Sequence, residues 1–151
     1  MQQKTQLKIG ESVAAILERE VTFTIKEWLT RVKLVKQLTD LPLNDVDRMT
    51  HLYGLFADVL CRLRHDRGDE PPASLIAAAA HGRVRFEQGY SAAMLVEESR
   101  IFEVSTFGML RLHWLELDQN QLLLDVAIIA DEADRQLAEA VRSLTAQCAA
   151  A

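Results

Sequence analysis

Apolar residues recur along this chain at intervals of three and four, and only three prolines and six glycines in 151 residues interrupt the pattern. That spacing lays apolar side chains along one stripe of a helix and leaves a sheet without the alternation it needs. One segment does alternate: Val21, Phe23 and Ile25 in "VTFTI". A lone strand has no partner, so the helical reading is kept there. The expected fold is all-α, a helical bundle of about five helices with a long C-terminal helix. It forms a single domain over 1–151, with 1–10 disordered.

The first helix is expected from about Ser12 to Gln37, with Val13, Leu17, Val21, Trp28, Leu29 and Val32 inward. "LPLNDVDRM" punctuates the next junction, because Pro42 ends one element and Asn44 caps the next, with Asp45 and Asp47 favouring its dipole. The second helix runs to about Arg64 with a stripe of Val46, Met49, Tyr53, Phe56, Leu60 and Leu63, widened by Leu52, Leu55 and Val59. "HDRGDEPPA" breaks it. A third, alanine-rich helix spans Ser74 to about Gln88. Gly89 is expected in the left-handed conformation, followed by Tyr90, Ser91 and Leu95 as the N′, N-cap and N4 residues of a hydrophobic staple. The fourth helix runs to about Leu117, with Leu95, Ile101, Phe102, Met109, Leu112 and Leu115 buried. The fifth, from about Leu122 to Gln147, carries Ala130, Ala133, Leu137, Ala140 and Leu144 at seam spacing. This seam suits either pairing with a second copy or one more core-facing face.

A chain of this length can bury roughly 70% of its unfolded surface, so its core needs no metal or disulfide. With 49% hydrophobic and 26% charged residues it is too apolar for a disordered chain, and its net charge of −5 argues against general binding to nucleic acid or anionic membrane. Cys61 and Cys148 lie far apart without a CxxC spacing, which suits reduced thiols. No signal peptide or membrane-spanning run is present, and the expected location is cytoplasmic.

Catalytic signatures are missing: no phosphate-binding glycine loop, HExxH, EF-hand or GxSxG motif, and no pair of histidines at helical spacing. The expectation is a non-enzyme without cofactor or metal. Attention falls on "AAAAHGRVRFEQGY", 77–90. His81 there has two readings from different classes. An exposed helical imidazole beside Arg85 is the arrangement of a histidine phosphotransfer protein. A buried one bridging helices is structural, and that reading is preferred. A haem ligand is a third, weaker option. Arg83 can pair with Glu87 on the surface, or Arg83 or Arg85 can reach Glu97 or Glu98 on the next helix and brace the corner at Gly89.

Four stretches in order, "EWLTRV" (27–32), "LPLNDVDRMTHLYGLFADVL" (41–60), "HGRVRFEQGY" (81–90) and "LVEESRIF" (95–102), resemble the N-terminal domain family named after the stress-signalling co-antagonist RsbRD. The resemblance covers roughly Ile16 to Leu144. Its most specific part is His-Gly-x-x-Arg-x-x-Gln-Gly-Tyr, occupied by His81, Gly82, Arg85, Gln88, Gly89 and Tyr90. The family's next helix carries Glu-Tyr-Arg and a second arginine. Here Glu98 and Arg100 are kept, while Ser99 and Glu103 depart from the pattern.

This resemblance implies an all-α sensory module, found ahead of STAS output domains and histidine kinase cores and tending to dimerise. A homodimer that relays a stimulus through its last helix to a STAS or histidine kinase partner is therefore expected, with no nucleic acid or membrane involved. The candidate cluster is His81, Arg83, Arg85, Gln88, Gly89, Tyr90, Glu98 and Arg100, chiefly structural. Its arginines also make it a candidate site for a small anion or metabolite.

Overall fold

The computed structural model describes residues 10–65 and 75–151; the expected disorder at 1–9 and most of the expected loop at 65–73, with Ser74, lie outside them. The described residues are all-α. The helices are α1 (Val13–Arg19), α2 (Val21–Val32), α3 (Lys36–Thr39), α4 (Asp45–Met49), α5 (Leu52–Arg64), α6 (Ile76–Glu87), α7 (Ala92–Leu112) and α8 (Gln119–Ala150). A 3-10 turn, Trp114–Glu116, joins the last two. "VTFTI" is helical, and its alternation fails, because Ile25 is buried while Phe23 is exposed. The only extended pairing among the described residues is one parallel bridge, Glu11 to Leu117.

The first expected helix is in fact three. It breaks at Glu20 (φ −102°, ψ 12°), directly before a run containing Val21, Thr22 and Thr24, whose β-branched side chains crowd a preceding turn. It stops again at Lys33, and Val35 is extended. Of its expected core residues, Val13, Leu17, Trp28 and Val32 are buried and Val21 and Leu29 are partly covered; Ile16 and Ile25 join them.

Asn44 caps α4 as expected, its side chain accepting from the Asp47 N–H at 2.8 Å. The second expected helix then breaks at Thr50 and His51, which resets the phase of its stripe. Leu52, Leu55, Phe56, Val59 and Leu63 form the buried face, while Val46 and Tyr53 point outward. Phe56 meets Phe102 of α7 with ring centroids 4.5 Å apart, a contact worth about 1 kcal/mol beyond its buried area.

At the far end α7 stops at Leu112 and not near Leu117. Leu112, the last residue of α7, is 72% exposed; the tighter 3-10 turn after it leaves Leu115 93% exposed and brings Leu117 to the inward position. The last helix is longer than expected at both ends. Asp118 caps it, accepting from the Asn120 N–H at 3.0 Å.

Ala133, Ala140 and Leu144 of the expected seam are buried within this chain, with Ala130 and Leu137 partly covered. Much of that face packs on α6. A Cβ built on Gly82 would lie 2.2 Å from the Ala140 carbonyl oxygen, so the two helices touch backbone to backbone. The Ser143 hydroxyl donates to the Ala79 carbonyl at 2.7 Å along the same line. Small residues on both helices permit this approach, and the alanine run of α6 thereby has its physical reason.

Candidate functional site: the charged corner between α6 and α7

The corner forms because the sequence ends α6 and starts α7 within four residues. Gly89 has φ +92°, a left-handed conformation that a side chain would strain. Its N–H donates to the Phe86 carbonyl at 3.0 Å, and the Tyr90 N–H donates to the Arg85 carbonyl at 2.9 Å. These are the two bonds of a Schellman ending. Such endings usually add an apolar contact between the two residues that here are Tyr90 and Arg85. In its place the Arg85 guanidinium stacks 4.7 Å over the Tyr90 ring. Ser91 then caps α7, accepting from the Met94 N–H at 3.2 Å.

Arg85 is 1% exposed, and its five N–H donors meet five acceptor contacts. Nε and Nη2 donate to Glu98 Oε1 at 3.2 and 3.0 Å. Nη1 donates to Gln88 Oε1 at 2.7 Å and to the Asp47 carbonyl at 3.3 Å. Nη2 also donates to the Arg48 carbonyl at 2.5 Å. One side chain thus ties α6 to α7 and to the end of α4. His81, 5% exposed, brings Nε2 to 2.9 Å from the same Glu98 oxygen.

Glu98 is 3% exposed, and burial alone would raise its pKa. The positive charge and hydrogen bond of His81, the charge of Arg85 and the Tyr90 hydroxyl outweigh that and bring it down to about 2. Burial, then the Glu98 charge, push the Tyr90 phenol up. The backbone of Glu98 is held too, its carbonyl accepting from Trp28 Nε1 at 3.3 Å.

Of the residues singled out from the sequence, His81, Arg85, Gln88, Gly89, Tyr90 and Glu98 converge here. Arg83 is exposed, and only its charge reaches the cluster, at His51. Arg100 is also exposed, and pairs with Glu97 at 2.7 Å on its own helix. The bracing alternative is therefore realised by Arg85 and Glu98.

Three contributors were missed by sequence reasoning. Arg48 is 4% exposed and donates from Nη2 to the Leu38 and Leu41 carbonyls at 3.2 and 2.8 Å. His51 sets its ring edge-on to His81 at 5.8 Å, and its pKa is lowered by burial first and then by His81, Arg85 and Arg83. Trp28 is the third. All three fall within the stretches that carry the family resemblance, but nothing in their spacing places them at this corner.

Among the described residues no group of three or more histidine, cysteine, aspartate or glutamate side chains is placed to hold a metal ion, and no helix is long and apolar enough to cross a membrane. Phosphotransfer through His81 would require another protein to reach an imidazole that is buried against Glu98. Chemically, the corner is a buried ion pair, Arg85 with Glu98, set in a hydrogen-bonded cluster that ties two helices together. Comparison with protein-family models, with curated proteins and with solved structures finds no match for this chain.

Proposed function

We propose that this chain is a non-enzymatic signal-input module of the kind its resemblance to the RsbRD N-terminal family implies. In this reading it acts in the bacterial cytoplasm, pairs with a second copy, and passes a stimulus through α8 to a STAS or histidine kinase output, fused or in trans. The observation that carries the reading is mechanical. The corner cluster ties α6 to α7, and the Gly82–Ala140 contact packs α6 on α8, which supports a route by which a change in the corner would reach α8.

The test is a fusion of α8, continued in helical register, to a histidine kinase core. Autophosphorylation is expected to change several-fold with E98Q and with insertion of two residues after Ala150. Kinase activity indifferent to both changes would remove the relay from consideration.

A further inference from the structure

A cleft opens beside the ion cluster, walled chiefly by Trp28, Leu52, Leu95, Phe102, Ala133 and Ala140. About 40 Å³ of it admits the centres of water-sized spheres. By that measure one water needs roughly 10–15 Å³, and an engineered cavity that takes benzene is on the order of 150 Å³. The enclosed part therefore suits a few heavy atoms, and a six-membered ring would extend into the mouth.

Three side chains lining the cleft are polar and nine-tenths buried, His81, Glu98 and Gln136, the last with its amide donating to the Leu55 carbonyl at 3.0 Å. His81 and Glu98 each keep one atom without a hydrogen bond of good geometry inside the protein, Nδ1 and Oε2, and the Tyr90 hydroxyl, close enough to favour the Glu98 carboxylate, is likewise unpaired. Leaving such atoms unpartnered is costly in a protein interior. The carboxylate oxygen is an acceptor, and the imidazole Nδ1 accepts or donates according to the ring's protonation, so a hydroxyl, which can do both, matches either atom. The charges leave little room for an ionic ligand. Glu98 is already paired with Arg85, and the Arg85 donors are all engaged, so no free guanidinium is offered to an anion.

We propose that this cleft binds a small neutral molecule, mostly apolar, that hydrogen-bonds through a single hydroxyl group to Glu98 Oε2 or His81 Nδ1. Short alcohols fit the enclosed part, and phenol fits with its ring toward the mouth. Ala133 and Ala140 of α8 and Trp28 of α2 cover the apolar end, and this assignment stands whether or not the chain relays a signal.

The full chain, labelled with nitrogen-15, tests it by amide and indole chemical shifts during titration with phenol and, as the control lacking a donor, benzene. Phenol should give saturable shifts at the Trp28 indole and at the amides of His81, Ala133 and Ala140, with an affinity about five- to tenfold tighter than benzene's, as one added hydrogen bond provides. Absence of saturable shifts, or affinities for the two probes within about twofold of each other, overturns the proposal. A133L fills the cleft and should abolish the phenol shifts. Where A133L loses its dispersed spectrum, S99L on the rim serves instead, and retention of the shifts in the folded variant counts against the site.

Discussion

Two of the corners between described helices are held by opposite means. The α6–α7 corner buries its charges: Arg85, Glu98 and His81 are each 5% exposed or less. The α7–α8 corner keeps its charges outside. There Arg19 reaches Glu11 at 2.8 Å and Glu116 at 3.0 Å, and His113 Nδ1 lies 2.6 Å from Glu116, all with substantial solvent contact. Leu112 and Leu115 are exposed beside them. A buried ion pair is sensitive to the loss of either partner, because the other is left charged in a poor solvent, whereas water replaces a lost surface partner at little cost. The first corner should therefore behave as a lock and the second as a tether.

The largest expected break comes from removing one charge of the lock. E98Q should cost about 3 kcal/mol or more in urea unfolding, since it strands Arg85. E116Q at the other corner should leave the unfolding midpoint unchanged. A similar response to both substitutions would erase the distinction between the corners.

Next in size is the close approach that couples the lock to α8. G82A places a methyl group against the Ala140 carbonyl, where both sides are backbone and neither can swing away. A loss of about 2–3 kcal/mol is expected. G89A, whose cost is the left-handed backbone alone, should lose about 1–2 kcal/mol. Thermal and urea unfolding of the two variants give the order.

Acid should find the same corner. Glu98 has a folded pKa below its ordinary 4.5, so the unfolded chain binds the extra proton. Its contribution is fully present above about pH 4.5 and is lost as pH falls toward 2. A depression of that size corresponds to about 3 kcal/mol, in line with the cost expected of E98Q. His51 is likewise depressed, and its contribution falls away below its ordinary 6.5. Unfolding free energies between pH 7 and 3 should therefore decline less steeply in E98Q than in the parent.

The smallest effect is expected at the tether's apolar surface. L115S should change stability by no more than about 0.5 kcal/mol, because Leu115 has little burial to lose.

These contrasts also explain what was legible in the sequence. Helical periodicity gave the class, and the capping residues Asn44 and Ser91 and the left-handed Gly89 were read correctly, because caps depend on neighbours a few residues away. Phase was not legible where a helix broke without proline. The turn at Thr50 and His51 moved Val46 and Tyr53 off the core, the 3-10 turn did the same to Leu115, and Leu112 faces outward at the very end of α7. At the site, Arg85 and Glu98 could be paired from their places on either side of Gly89. Arg48 and His51 could not, since tertiary packing alone brings them to the corner, and Arg83 and Arg100 were included on charge alone and sit outside. The seam on α8 was spaced for a helix partner, and much of it packs on α6 of the same chain.

The central claim is that Glu98 and Arg85 neutralise one another in the interior and thereby hold the corner. A double-mutant cycle in urea unfolding with E98Q, R85Q and the pair tests it most directly. The account predicts that the double variant is more stable than the sum of the single losses implies, by about 2 kcal/mol or more. Additive losses, with a coupling energy near zero, would contradict it.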